Sequence, residues 1–205
     1  MTVKLAIVYY SSTGTNYQLA QWAAEGGKES GAEVTIYRVE ELAPQSVIEG
    51  NPAWKAHIEE TKDIPVVTPE VIEKSDAIIF STPTRFGNMA AQMKQFLDTT
   101  GGIWFHGKTV NKVVSGMTSA QNPHGGQEAT ILSLYTTMYH WGAIVATPGY
   151  TDQSLYAAGG NPYGTSVTVD QNNQIVGDKE VFKKAAKVQA QRVVHIAELI
   201  KNGKQ

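Results

Sequence analysis

The chain of 205 residues contains no cysteine, which excludes disulfides, thiolate metal centres and a cysteine nucleophile. It has little net charge, with 17 Lys and Arg against 19 Asp and Glu. No basic field is therefore present to gather nucleic acid or an anionic membrane surface. No apolar run approaches the roughly 20 residues that span a bilayer. No basic segment with an apolar signal core precedes the first apolar run, so a cytoplasmic setting is expected. The histidines at 57, 106, 124 and 195 show no ligand spacing with one another or with carboxylates, and no metal site is expected. Internal repeats and low-complexity tracts are absent as well.

What is present is alternation. Apolar runs at about 5–10, 33–39, 76–81, 110–117 and 143–146 read as strands. Most are continuous rather than alternating, which implies burial on both faces. Helical patterns lie between them at about 16–29, 70–74, 88–99 and 126–140, and a final helix runs over about 178–202. In that last helix Phe182, Ala186, Val193, Ile196 and Ile200 share a face that Gln189 interrupts. The pattern predicts an α/β fold: a doubly wound, five-stranded parallel sheet of order 2-1-3-4-5 with helices on both faces. In that order ligands bind beyond the carboxyl ends of the strands, at the switch point between strands 1 and 3. A single domain over 1–205 is expected, with excursions at about 41–68 and 147–177. The first is proline-rich and acidic and has room for a short helix near 53–60. The second is rich in Gly, Asn and Tyr, with a hairpin expected around Asn172-Asn173.

The first strand runs into Ser11-Ser12-Thr13-Gly14-Thr15-Asn16, where a helix begins. Such a turn points backbone N–H groups, hydroxyls and the positive end of a helix dipole at one small volume, which suits a phosphate. It holds no Lys or Arg. Hydrogen bonds and dipole alone fit the terminal phosphate of a mononucleotide cofactor better than a reacting triphosphate. Strand 3 is expected to stop at Pro83, in Ser81-Thr82-Pro83-Thr84-Arg85-Phe86-Gly87-Asn88. There Phe86 can lie against a planar ring, Arg85 can add a cation, Gly87 permits close backbone approach and Asn88 can cap the next helix. After strand 4 come Thr118-Ser119-Ala120-Gln121-Asn122-Pro123-His124-Gly125-Gly126. Any one of these loops is a weak signal. All three would open at one sheet edge, and together they point to a nucleotide-like ligand. Trp104, beside paired glycines in a loop, is either a wall over a flat ligand or a side chain packed at the domain edge. His140 ends a helix; it either answers the helix dipole or hydrogen-bonds a bound ring or substrate carbonyl.

With Tyr10-Ser11-Ser12-Thr13-Gly14, Pro83-Thr84-Arg85-Phe86-Gly87-Asn88-Met89, Gly101-Gly102-Ile103-Trp104 and Gly125-Gly126-Gln127-Glu128, the chain resembles the flavodoxin-like NAD(P)H:quinone oxidoreductases of the WrbA type over nearly its whole length. The resemblance implies a non-covalent FMN, NADH or NADPH as co-substrate, two-electron reduction of quinones by a ping-pong hydride transfer, and a homotetramer. It implies that Ser11 to Asn16 hold the FMN phosphate. Pro83 to Gly87 would meet the ring and ribityl chain, and Ser119 to His124 the ring's other edge. Trp104 would shape the substrate cavity. Where some members carry an aromatic residue that contacts the nicotinamide, this chain has Thr13. His140 is carried over as a cofactor contact and a proton source. The competing readings are a one-electron carrier of the flavodoxin type and a flavin-dependent azo or nitro reductase.

Overall fold

A computed structural model describes residues 2–203. Five parallel strands form the sheet path: β1 (Lys4–Tyr9), β2 (Glu33–Arg38), β3 (Ala77–Arg85), β5 (Val113–Ala120) and β6 (Ile144–Val145). Their order is β2-β1-β3-β5-β6. That is the expected 2-1-3-4-5 once two short strands are counted in chain order. These two are β4 (Asn88–Met89), antiparallel to β3, and β7 (Ser166–Thr168), parallel to β5. The sheet therefore has seven strands rather than five.

Helices cover both faces. On one side α1 (Thr15–Glu29) and the long α9 (Lys179–Gly203) pack over Leu5, Ile7, Ile79 and Met117. They approach so closely that a Cβ on Gly26 would stand 2.5 Å from the carbonyl oxygen of Lys187. On the other side α4 (Pro69–Lys74), α5 (Ala91–Asp98) and α7 (Gln127–His140) pack over Val8, Ile78, Phe80 and Val114. Among the described residues no helix is long and apolar enough to cross a membrane.

The excursion after β2 carries α2 (Gln45–Glu49) and α3 (Pro52–Glu60). One carboxylate ties it down. Glu41 accepts from the Leu42 and Ala43 amides at 2.8 Å each, from Gln92 Nε2 at 2.7 Å, and from Tyr10 Oη and Trp54 Nε1 at 3.0 Å each. This joins the end of β1, α3 and α5 at the carboxyl edge of the sheet. Burial, with that carboxylate beside it, pushes the Tyr10 phenol up.

Three expectations change. Pro83 does not stop strand 3: β3 continues to Arg85, and Pro83 pairs with Ser119. The Ser81 carbonyl accepts the Tyr10 amide at 3.0 Å. Pro83, two residues on, faces the same side past the end of β1, where its missing N–H is not needed. Asn88 does not cap a helix; it pairs with Arg85 in a hairpin, and α5 begins only at Ala91. Trp104 does not sit in a loop but in the short helix α6 (Gly101–Phe105). The expected turn at Asn172-Asn173 is present, closed by a bridge from Val169 to Ile175, with Asn173 at φ 60°.

Candidate active site

The loops after β1, β3 and β5 converge on a cavity of about 460 Å³ at the carboxyl edge of the sheet. A cavity of this size is in the range that holds a cofactor or small ligand.

The first loop is pre-shaped by its own side chains. Ser11 Oγ accepts the amides of Gly14 at 3.0 Å and Asn16 at 3.3 Å. Gly14, at φ 98°, supplies the left-handed residue before α1. Among the described residues the amides and hydroxyls of Ser12, Thr13 and Thr15 have no partner. They face the cavity at the positive end of a 15-residue helix. This is a donor set for an anion that needs no side-chain cation.

Asn16 has a role that its place in the turn did not reveal. Its Nδ2 donates to Ser81 Oγ at 3.1 Å, Ser81 Oγ donates to its carbonyl at 2.9 Å, and Ser119 Oγ donates to its Oδ1 at 2.6 Å. Asn16 is 1% exposed and pins the ends of β1, β3 and β5 together. Its partners are distant in sequence, so only the polar residues at each strand end hinted at the contact.

The second loop is a two-residue hairpin. Phe86 and Gly87 both have positive φ, 53° and 79°, as the turn between paired Arg85 and Asn88 requires. For Phe this is a strained conformation. The side chain is also fully exposed, at 104%, so no burial offsets the strain. Phe86 is thus an exposed aromatic held in a strained turn, and it lines the cavity. Arg85 stands beside it, its Nη1 donating to the Thr84 carbonyl at 2.9 Å. The third loop abuts the second: a Cβ on Gly126, at φ 87°, would lie 2.8 Å from Gly87 Cα. Thr84 Oγ1 also donates to the Gly125 carbonyl at 3.3 Å.

Of the residues expected at the site, Ser11, Ser12, Thr13, Thr15, Asn16, Pro83, Thr84, Arg85, Phe86, Ser119, Ala120, Gln121 and Asn122 line this one cavity. Gly14, Gly87, Pro123 and His124 belong to the same loops without lining it. Trp104 and His140 lie outside it and meet each other instead, Trp104 Nε1 donating to the His140 carbonyl at 2.8 Å. Val169 and Asn173 also line the cavity. They arrive with the hairpin after β7, and the turn residues Asn172-Asn173 were the only signal for it.

Such a sheet, with an anion cradle after its first strand and an exposed aromatic lining the same cavity, defines a doubly wound α/β protein with a site suited to a phosphorylated planar ligand. Residues 3–152 match the family described as NADPH-dependent FMN reductase, and the chain belongs to that family. It is 55% identical to a Deinococcus radiodurans protein named NAD(P)H dehydrogenase (quinone), over 86% of this chain and 88% of that one. A protein of the same name from Aromatoleum aromaticum is 39% identical over 98% of this chain and 99% of its own. Among solved structures, a flavodoxin described as a WrbA-like protein from Agrobacterium tumefaciens superposes with a TM-score of 0.63 at 21% identity. The match covers 97% of this chain and 99% of that one. The last comparison bears on the fold alone, and it agrees with the sheet order above.

Proposed function

We propose that the chain is an FMN-dependent NAD(P)H:quinone oxidoreductase that reduces quinones to hydroquinones by two electrons at one shared face, in ping-pong order. The observation that carries this reading is that one cavity is lined both by the unpaired amides of Ser12, Thr13 and Thr15 and by the exposed, strained Phe86. The two features match a phosphate and a flat ring in one ligand. A bound FMN would supply the redox chemistry, a two-electron hydride relay between nicotinamide and quinone.

The chain's own residues bind and orient. Ser11 shapes the turn, and Ser12, Thr13 and Thr15 donate to the phosphate at the start of α1. Pro83, Thr84 and Arg85, with Ser119 to Asn122 opposite, form the walls that fix the ring plane, and Phe86 offers a face to it. The Phe86 amide would answer charge that develops on the ring. No side chain is needed as a nucleophile. The names of the relatives support the donor and the acceptor class.

The reading treats 1–205 as one domain and places it in the cytoplasm. It includes the homotetramer implied by resemblance, for which Trp104, Phe105 and Tyr139 offer apolar surface at 50%, 77% and 62% exposure. The test is steady NADH oxidation by purified FMN-loaded protein with benzoquinone and no added reductase. Sustained turnover supports the enzyme. A requirement for an added reductase assigns the chain to the electron carriers instead.

A further inference from the structure

The cradle has no lysine or arginine, yet a titratable ring stands directly behind it. His57 of α3 is 5% exposed, and its Nδ1 lies 3.6 Å from where a Cβ on Gly14 would be. Gly14 separates Thr13 from Thr15, two of the residues whose amides are unpaired. The imidazole is boxed by Tyr17 at 5.7 Å and Tyr9 at 6.3 Å between ring centroids. Neither ring nitrogen has a hydrogen-bond partner among the described residues. His57 and Tyr9 line a second cavity of about 90 Å³, and Ser11 lines that cavity as well as the large one. The excursion that carries His57 is fixed in place: Asn51 Oδ1 caps α3 by accepting from Ala53 at 3.1 Å, and Trp54 is bonded to Glu41. Its ring nitrogens are not cut off from solvent, so the imidazole beside the phosphate turn can take up a proton there.

We propose that His57 supplies a positive charge to the phosphate turn of this site, whose own residues carry none. It takes a proton from solvent when a flavin phosphate docks on Ser12, Thr13 and Thr15, and so favours the phosphorylated flavin over the unphosphorylated one. His57 acts through the Gly14 turn and is a positioning residue rather than a catalytic one. The proposal rests on the flavin reading above.

Its surroundings set the sign. Burial holds the His57 imidazole below the ordinary histidine range, with Glu60 on the same helix pulling the other way. The other groups packed around it are Tyr9 and Tyr10 from β1, Tyr17 from α1, Arg38 from β2, Glu41 and Lys62. The Glu41 carboxylate is filled by its five donors, Lys62 pairs with Glu59, and Arg38 Nε donates to the Ile64 carbonyl at 3.0 Å. These groups already have partners, so the arriving phosphate is the new charge facing the ring. A dianion there stabilises the imidazolium. By linkage the imidazolium strengthens phosphate binding by the same factor, typically about tenfold. Affinity for FMN over riboflavin therefore rises as pH falls through the histidine range.

The direct test follows the His57 ring by NMR titration in the flavin-free, riboflavin-bound and FMN-bound protein. FMN is expected to raise the midpoint by about one pH unit, the same tenfold coupling, and riboflavin to leave it in place. A parallel measurement compares FMN and riboflavin affinities of the wild type and His57→Gln at about pH 8 and about pH 5.5. Because FMN's own phosphate titrates in this range, the difference between the two proteins is the readout. The FMN preference of the wild type should gain over that of the variant by several-fold at the lower pH, approaching about tenfold only below the flavin-free midpoint of His57. Equal His57 midpoints in all three states overturn the proposal while leaving the flavin reading intact. Failure of FMN to bind overturns the flavin reading and this proposal with it.

Discussion

The side-chain amide of Gln189 donates to the Gly116 carbonyl at 2.8 Å, in a place where the sheet has no strand. The edge of the sheet is split. Lys112 and Val114 carbonyls accept from Ile144 and Ala146, and further up the Ala120 carbonyl accepts from Val169. Between them the chain leaves the edge for α8 (Gln153–Ala157), and Gly116 would be left unpaired. Gln189 fills one half of the gap. The Tyr135 hydroxyl fills the other, accepting the Gly116 amide at 3.0 Å and donating to the Tyr163 carbonyl at 2.6 Å. Gln189 Oε1 also accepts the Thr165 amide at 2.7 Å, which fixes where the chain re-enters as β7.

Replacing Gln189 with Leu therefore leaves Gly116 and Thr165 backbone groups buried without partners. The expected loss is about 2–4 kcal/mol of unfolding free energy, read from urea denaturation. Because β7 leads to Val169 and Asn173 at the cavity, FMN affinity should fall as well. Unchanged stability would mean that water replaces the amide.

Phe86→Gly should separate stability from function. The side chain is fully exposed, so no apolar burial is lost, and glycine accepts φ 53° without strain. Relief of strain less the entropy of an added glycine leaves a gain of about 1 kcal/mol in flavin-free protein, measured by thermal unfolding. FMN binding should weaken by roughly tenfold if the ring is the face Phe86 is held for, a difference that a fluorescence titration resolves.

Ser11→Ala removes the acceptor for the Gly14 and Asn16 amides. The expected cost is about 1–2 kcal/mol of stability. The cradle loses its shape, so FMN affinity should drop more than riboflavin affinity. An equal drop for both would place the phosphate elsewhere.

Trp104→Ala should leave FMN affinity within about twofold, since Trp104 does not line the cavity and its indole meets the His140 carbonyl. Quinone kcat/KM should change by more, roughly fivefold. If both parameters move together, Trp104 has a structural role alone.

The sheet order was legible because buried parallel strands are written as unbroken apolar runs, and the cradle because hydroxyls cluster before a helix. The limits were of two kinds. Pairings of residues far apart in sequence, such as Asn16 with Ser81 and Ser119, leave only polar residues at strand ends as a trace. The split edge was harder: Ser166–Thr168 is too short for a two-residue period to register, and Gln189 read as an interruption of an apolar face when it is the patch for the missing strand. Pro83 misled because the proline rule depends on which side of a strand has a neighbour, a fact the sequence does not carry.

The central claim is that one open face beside Phe86 passes two electrons from a nicotinamide to a quinone. Its most direct test is an anaerobic mixing experiment on FMN-loaded protein that follows the yellow absorbance. The account predicts that one equivalent of NADH bleaches the band and one equivalent of benzoquinone restores it, with hydroquinone formed in equal amount. A band that NADH leaves untouched, or that benzoquinone fails to restore, would contradict it.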